Sequence, residues 1–321
     1  MNAAAYLIRR LGGAAVVLAA VSFVTFAVFF LIPVDPARLA AGKTATPTAI
    51  AQVRAALGLD RPWYDQYGLY LRKLVLHGSL GYSYNTRQPV REIVFAAAPV
   101  TISLVAGAFL IWLALGVCLG TLAALRPRSF ADRAATGFAA AAASVHPVWL
   151  SLDAAWLVGF KLGWTPISGY CSISGGGGYG CGGLAAWASH LVLPWCVLGL
   201  LQSALYVRLV RASVRETLSA DWVRTARAKG LPERQILTRH VLLPVLAPLV
   251  TVAGLDLALL LGGVVFVETV FGLPGLGYQA VQSLRGFDLP TIEGIVIYAT
   301  LIIVVCNLLV DLGVQRLDPR R

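Results

Sequence analysis

Runs of about 20 apolar residues that recur along the chain limit its fold more than any other feature. A run of this length spans the roughly 30 Å hydrocarbon core of a bilayer as one α-helix. The runs cover residues 11–32, 100–125, 136–160, 191–210, 242–267 and 292–314, each approximately. Of the 321 residues, 58% are hydrophobic and 13% charged, against about a half and a quarter in soluble domains. The sequence predicts an all-α polytopic membrane protein with six transmembrane helices.

The loops between the runs differ in charge, which predicts the orientation. If the N-terminus is cytoplasmic, the cytoplasmic segments carry many basic residues, among them Arg126, Arg128 and Arg227, whereas the short external loops carry only Lys161 and Arg285. Segment 33–98 is also basic, but long segments cross the membrane largely regardless of charge. We therefore predict that both termini are cytoplasmic.

The first loop, residues 33–98, is too long and too patterned to be a linker. Helical spacing of apolar residues predicts short helices over 49–57, with Thr48 as the cap, and over 63–76. We therefore divide the chain into residues 1–32, the N-terminal cytoplasmic end and first span, a small external helical domain at 33–98, and a core at 99–321 with the other five spans. That core contains a polar, basic cytoplasmic segment at 211–240.

Several function classes are not supported by the composition. The net charge of +11 comes from residues between apolar runs rather than from one soluble face, which argues against nucleic-acid binding. The five cysteines include no C-x-x-C pair, so we expect no metal site. No nucleophile–base pair or H-E-x-x-H motif is present, so we expect no catalytic residue.

Cys171 and Cys181 differ from the other cysteines because they lie in a glycine-rich loop that the predicted orientation places outside. Disulfides persist in such oxidising compartments, so we expect a Cys171–Cys181 disulfide. The alternative is a pair of unpaired loop thiols.

A cytoplasmic segment between the fourth and fifth runs has the pattern helix, glycine, helix. Its centre is Arg224-Thr225-Ala226-Arg227-Ala228-Lys229-Gly230-Leu231. Gly230 can end the first helix in a left-handed conformation, and Pro232 can begin the second. Such a rigid, exposed element suits docking into a groove of a soluble partner. A basic loop that only fixes the topology explains the charge equally well.

Polar residues within the apolar runs are candidates for a translocation pathway, because ionisable groups in a membrane are costly. They are Asp153 in the third run, Gln202 and Ser203 in the fourth, and Asp256 in the fifth. Asp256 and Gln202 either contact a substrate or form a helix–helix hydrogen bond. An ion-coupled secondary transporter with Asp153, His146 and Asp256 as a relay is the alternative function from another class.

The end of the fifth run is rich in glycine and predicts a bent, partly re-entrant element. Its candidate gate residues are Glu268, Phe271, Pro274, Gly275 and Gly277.

Together these motifs resemble those of dipeptide and oligopeptide ABC importer permeases. The resemblance rests on Arg224 to Leu231 with Leu243-Pro244, and on further stretches that follow in the family's order over nearly the whole chain. These are Leu57-Gly58-Leu59-Asp60-Arg61-Pro62, His77-Gly78-Ser79-Leu80-Gly81, Val267 to Phe271 with Pro274 to Gly277, and Asn307 to Asp311 with Leu317 to Arg320. General members of the superfamily have Glu-Ala-Ala before the glycine, and only Ala226 matches that form. The loop with Cys171 and Cys181 matches no family pattern.

The resemblance implies a non-catalytic membrane subunit of an ATP-hydrolysing complex in the bacterial inner membrane. It implies a second homologous permease subunit as a heterodimer partner, two ATPase domains that bind ATP and Mg, and an external peptide-binding protein. The segment around Ala226 and Gly230 would then seat in an ATPase groove. Relatives also carry nickel chelates, glutathione or sugars, which are the alternative substrates within this family.

Overall fold

The computed structural model describes residues 3–31, 36–41, 45–173 and 181–317, and this part of the chain is helical. Isolated bridges pair Tyr82 with Pro89 and Ser172 with Gly182, and the described residues contain no longer strand. The helices are α1 (Ala3–Leu31), α2 (Pro36–Ala41), α3 (Pro47–Leu57), α4 (Trp63–His77), α5 (Val90–Leu125), α6 (Phe130–Ser144), α7 (Pro147–Ala154), α8 (Leu184–Leu218), α9 (Asp221–Ala228), α10 (Glu233–Gln235), α11 (Leu243–Val270), α12 (Leu276–Arg285) and α13 (Leu289–Leu317). Ala155–Lys161 and Ile236–Leu242 are π-helical.

Among the described residues, four stretches of helix are long and apolar enough to cross a membrane. They are Val90–Leu125, Leu184–Leu218, Glu233–Gly254 and Leu289–Leu308, and Gly12–Val28 is a shorter apolar stretch. The helices extend beyond the predicted apolar runs because amphipathic turns continue them. For example, α5 begins at Val90 rather than near residue 100 and continues through Pro99.

The third predicted run, 136–160, is not one continuous helix. It is divided into α6, α7 and the π-helical Ala155–Lys161, and the break lies at Val145 and His146, both with extended backbone. The cause is Pro147, because proline disfavours the α conformation of the residue before it. The apolar run predicted one continuous span here, whereas the structure has a full helix break.

The described chain forms two compact units. The first contains Met1–Pro99 and Tyr278–Val305, and the second contains Val100–Gly277 and Cys306–Arg321.

The second unit is held together by close helix crossings at small residues. A Cβ added to Gly116 of α5 would lie 2.4 Å from the Cβ of Tyr206 in α8, so only glycine fits there. Gly199 of α8 packs in the same way against Ile111. Such small-residue contacts are typical of membrane helices, where backbones approach closely. Around them lies a hydrophobic core that includes the fully buried Trp112.

The first unit contains both predicted short helices. Gly58 and Gly78, both with positive φ, end α3 and α4. The predicted cap of α3 was wrong by two residues, since Thr46 rather than Thr48 accepts the hydrogen bond from the Ala49 amide.

A buried carboxylate ties the polar loop before α5 to the start of α13 in the same unit. Asp288, 3% exposed, accepts hydrogen bonds from the Ser83 hydroxyl, the Tyr84 amide and the Thr291 hydroxyl.

Candidate functional site

Helix α9 lies at the centre of the predicted coupling segment and has two distinct faces. Val223 and Ala226 are buried in the hydrophobic core of the second unit, together with Ile236 and Val241 from the following π-helical turn. Their i, i+3 spacing places them on one side of the helix. One face of α9 is therefore buried in the core of the second unit, and the opposite face is exposed.

The other predicted coupling residues lie mainly on the exposed face. Leu231 is half-buried, and the exposed residues are Arg224, Thr225, Arg227, Ala228, Lys229 and Gly230. Trp222, which the sequence analysis did not select, is 57% exposed beside them. Trp222 stands in the amphipathic pattern of this segment, and large aromatic residues are enriched where proteins bind each other. These two features were the sequence signal that could have identified it.

The turn after α9 has the predicted conformation. Gly230 has φ +76°, and its amide donates to the Arg227 carbonyl at 2.9 Å. A Cβ at Gly230 would meet no neighbour within 4 Å, so the backbone angle alone favours glycine. An ion pair between Arg227 Nε and Glu233 Oε1, 2.8 Å apart, crosses the turn. The result is a short, internally braced helix–turn–helix.

A charged cluster that the sequence analysis missed connects α6 to the base of α8. Asp132 in the first turn of α6 accepts from Arg211 Nε at 2.6 Å and from Arg211 Nη2 at 3.1 Å. Arg215 Nη2 lies 3.5 Å from the same carboxylate. We call Asp132, Arg211 and Arg215 the Asp132 clamp. Its two arginines lie on the last part of α8, which leads to α9.

The electrostatics of the Asp132 clamp favour the ionised carboxylate. Hydrogen bonds from Arg211 and then from the Arg128 amide lower the pKa of Asp132 to about 2. Ser129 caps α6 by accepting from the Asp132 amide. The sequence Ser129-x-x-Asp132 is a capping pattern that predicts a helix start, but nothing in it identifies the two distant arginines.

Asp256, a predicted pathway residue, has a partner on the same chain. Its Oδ2 accepts a hydrogen bond from the Tyr206 hydroxyl at 2.7 Å. Tyr206 lies one turn after Gln202 in α8 and packs against Trp112, with ring centroids 5.8 Å apart. Tyr206 was missed because a tyrosine in an apolar run gives no sign of a polar role.

The remaining predicted pathway residues do not converge on Asp256. Asp153 in α7 is exposed, and Gln202 is half-buried. Ser203 is buried and donates to the Leu200 carbonyl of its own helix. His146 caps α7, where its Nδ1 accepts from the Val148 amide at 3.3 Å.

The predicted gate residues form a compact polar contact inside the second unit. Glu268, fully buried at the end of α11, accepts from the Thr101 hydroxyl at 2.6 Å. The same Thr101 oxygen accepts from the Leu276 amide at 2.8 Å, which fixes the start of α12. Thr101 is 167 residues from Glu268, so no local pattern indicates that the two residues are in contact.

Two of the gate glycines pack directly against the Glu268 side chain. A Cβ at Gly275 would lie 2.2 Å from Glu268 Oε1, and a Cβ at Gly277 would lie 2.7 Å from the Val265 Cα. Phe271 is buried, and Pro274, in the turn between α11 and α12, is half-buried. These residues are therefore close together, and glycine at 275 and 277 is required by space.

The structure joins Cys171 and Cys181 by a disulfide, with their Cα atoms 5.5 Å apart. Cys171 is fully buried. Among the described residues, no group of three or more His, Cys, Asp or Glu side chains could hold a metal ion.

Comparisons with known proteins match nearly the whole chain. The family model described as binding-protein-dependent transport system inner membrane component matches residues 116–321. The model for the N-terminal part of such membrane components matches residues 3–105.

Individual relatives are similar over nearly their full lengths. A Brucella abortus (strain 2308) protein described as a peptide transport system permease is 35% identical over 316 residues, 98% of each chain. The dipeptide transport system permease protein DppB of Escherichia coli (strain K12) is 35% identical over 332 residues, again 98% of each chain.

A solved structure has the same fold as much of this chain. The match is to a chain of the MetNI methionine ABC transporter in inward-facing conformations, with a TM-score of 0.56 and 15% identity. It covers 71% of this chain and 97% of that one.

Proposed function

Because this chain belongs to the family of binding-protein-dependent transport system inner membrane components, we propose that it is the permease subunit of an ATP-driven importer of peptides. The family resemblance inferred from the sequence motifs is confirmed, and the chain is a multi-pass ABC permease. The observation that supports coupling to an ATPase is α9, whose buried face anchors it and whose exposed face is free to bind a partner.

Peptides are the proposed substrates because the relatives that match 98% of the chain are described as peptide or dipeptide permeases. Permeases of the same family that carry nickel chelates, glutathione or sugars are the alternative within this class.

The proposed mechanism begins in the partner ATPases, which bind ATP and Mg. When ATP closes them, they move α9 through its exposed residues, among them Arg224, Arg227 and Ala228. The Asp132 clamp braces the adjoining part of α8 against α6, so the motion passes into α8 rather than bending its end. Charge-assisted hydrogen bonds of this kind are among the stronger polar contacts in proteins.

The proposed topology has six spans in the bacterial inner membrane with both termini cytoplasmic. Residues 33–98 then form an external domain, 99–321 the permease core, and 211–240 the coupling segment. A second homologous permease completes the pathway as a heterodimer, two ATPase domains bind below, and a peptide-binding protein docks outside. Asp153, Gln202, Ser203 and Asp256 are the proposed pathway residues.

The proposed gate is the turn between α11 and α12. The hydrogen bonds among Glu268, Thr101 and the Leu276 amide hold this turn in one arrangement. Since Gly275 and Gly277 leave no space around Glu268, the turn would move as one piece when the pathway opens.

An ion-coupled relay through His146 and Asp256 fits the contacts less well. His146 Nδ1 is occupied by a backbone amide, and one Asp256 oxygen is occupied by Tyr206. Among the described residues, no hydrogen bond joins His146 to Asp256, so these contacts provide no proton path between them.

Reconstituted vesicles test the proposed function. We expect uptake of a labelled dipeptide only with the partner permease, the ATPases, the binding protein and ATP together. Ala228→Trp on the exposed face of α9 should abolish uptake and uncouple ATP hydrolysis. Ala131→Trp, an exposed alanine in the other predicted cytoplasmic loop, is the matched control and should transport normally. Uptake that follows a proton gradient without ATP would overturn the proposal.

A further inference from the structure

The first unit contains a cavity that the proposed coupling and gating do not use. Its volume is about 540 Å³, within the range of about 300–1,000 Å³ that is usual for small-molecule sites. Its described lining comes from α1, the turn after α3, α4, the loop before α5 and the start of α13, including Tyr70, Lys73, Arg87 and Glu293. All of these residues belong to one compact unit.

One part of the cavity has a buried polar atom that lacks a partner. Glu293 Oε1 is shielded from solvent and has no hydrogen-bond partner among the described residues, and the shielded Tyr70 hydroxyl has the Glu293 carboxyl group as its main polar neighbour. Burial first, and then the charge of the Glu293 carboxyl group and a side-chain hydrogen bond with it, raise the pKa of Tyr70 above its usual value. Leaving a buried polar atom unpaired is costly, and an ionisable residue in an apolar helix usually has a functional role.

A primary ammonium group would satisfy both atoms. It carries a positive charge and three N–H donors, so it can donate to Glu293 and to the Tyr70 oxygen together. A water molecule has two O–H donors and can bridge the same two atoms, but it carries no charge to balance the carboxylate.

Another part of the lining carries the opposite charge. Lys73 and Arg87 are exposed and form no ion pair with any described carboxylate. Arg87 has φ +57°, an unfavourable conformation for a residue other than glycine, and such strain is enriched at binding sites. Leu69, Leu80 and Pro290 add apolar lining. The cavity thus offers one acidic position, two basic ones and an apolar wall.

We propose that this cavity binds a small molecule with a primary ammonium group and an anionic group a few bonds away. The ammonium group binds Glu293 and Tyr70, and the anionic group faces Lys73 and Arg87. Two sources share this chemistry, a short peptide or amino acid in solution and the headgroup of an aminophospholipid. The proposal concerns binding to this chain and stands independently of transport.

Binding is measured on the purified full chain without partner subunits. In the first arm, calorimetry in phosphatidylcholine nanodiscs compares alanyl-alanine with N-acetyl-alanyl-alanine, which lacks the ammonium group. In the second arm, nanodiscs containing phosphatidylethanolamine are used, and native mass spectrometry measures the lipid that stays bound.

Glu293→Gln should weaken binding about tenfold or more, since hydrogen bonds to charged groups are among the strongest in proteins. Arg87→Asn removes the basic group while asparagine tolerates the positive φ, and it should weaken binding as well. Glu92→Gln, an exposed carboxyl in the first turn of α5, is the matched control and should bind like the wild type.

Each outcome decides the proposal. Saturable alanyl-alanine binding that needs the free ammonium group and Glu293 supports the soluble source, and Glu293-dependent retention of phosphatidylethanolamine supports the lipid source. Binding that ignores both Glu293→Gln and Arg87→Asn, or no binding in either arm, overturns it. If Glu293→Gln shows an altered gel-filtration profile, Tyr70→Phe and Arg87→Asn provide the test.

Discussion

Replacing Gly275 by alanine should destabilise the second unit strongly, because the new methyl group would occupy the space of the Glu268 carboxyl. The Cβ would lie 2.2 Å from Oε1 and 2.4 Å from Cδ, where ordinary contact begins near 3.4 Å. The carboxyl must therefore retreat by more than 1 Å. That movement breaks the 2.6 Å hydrogen bond from Thr101.

The cost is the sum of two terms. Overpacking a buried site costs about 1–3 kcal/mol, and losing a buried hydrogen bond costs about 1–3 kcal/mol. We expect Gly275→Ala to lower the free energy of unfolding by about 2–6 kcal/mol. An SDS titration in mixed micelles, followed by tryptophan fluorescence, measures this change.

Two other glycines are matched controls. At Gly137 a Cβ meets nothing within 4 Å, so alanine should be neutral or stabilising by up to about 1 kcal/mol. At Gly272, with φ +59° and a nearest contact of 3.7 Å, backbone strain alone predicts a loss of about 1–2 kcal/mol.

A double-mutant cycle tests the mechanism of this loss. In a Thr101→Val background the hydrogen bond is already absent, so Gly275→Ala should cost less than in the wild type. The reasoning is refuted if Gly275→Ala behaves like Gly137→Ala, or if its cost is unchanged by Thr101→Val. Normal peptide uptake by Gly275→Ala or a bulkier variant would count against the proposed gate.

Three further predictions follow from other contacts. Since the pKa of Asp132 is lowered from 3.8 to about 2, its pairing should stabilise the fold above about pH 4, and this contribution should disappear as the pH falls through about 2. Thermal unfolding across pH should therefore differ between wild type and Asp132→Asn at neutral pH and converge in acid, and parallel curves would contradict this. Gly230→Ala should lower the free energy of unfolding by about 1–2 kcal/mol, because alanine is strained at the positive φ of this position. It should also reduce coupled ATP hydrolysis, and full coupling would argue against α9 as the contact with the ATPase. Alkylation of the denatured, unreduced protein should label the three free cysteines and leave Cys171 and Cys181 unlabelled, and labelling of all five would exclude the disulfide.

Local patterns predicted those parts of the fold that depend on neighbouring residues. Examples are the long apolar helices, the ends of α3 and α4 at glycine, and the turn at Gly230. These features depend on the local pattern of apolar residues and on the positive φ that glycine allows. The break before Pro147 was underestimated because a proline inside an apolar run can produce either a kink or a break, and the surrounding packing decides which.

Contacts between distant residues could not be predicted from one sequence. Glu268 was selected from its motif, but its partner Thr101 lies in another helix, and Asp132 finds Arg211 across 79 residues. Polar side chains on apolar helices look alike in sequence whether they face a partner, a cavity or a neighbouring helix. Asp256 illustrates this, since only the packing of α8 against α11 assigns Tyr206 to it.

The two faces of α9 have a consequence for how such a subunit can change over evolutionary time. Val223 and Ala226 are constrained by the subunit's own core, whereas Arg224 and Ala228 are exposed and contribute nothing to it. If α9 binds an ATPase subunit as proposed, substitutions on its exposed face can accumulate, and compensate for substitutions in that ATPase, without disturbing the core of the permease. Such a permease could exchange one ATPase for another by altering a single eight-residue helix.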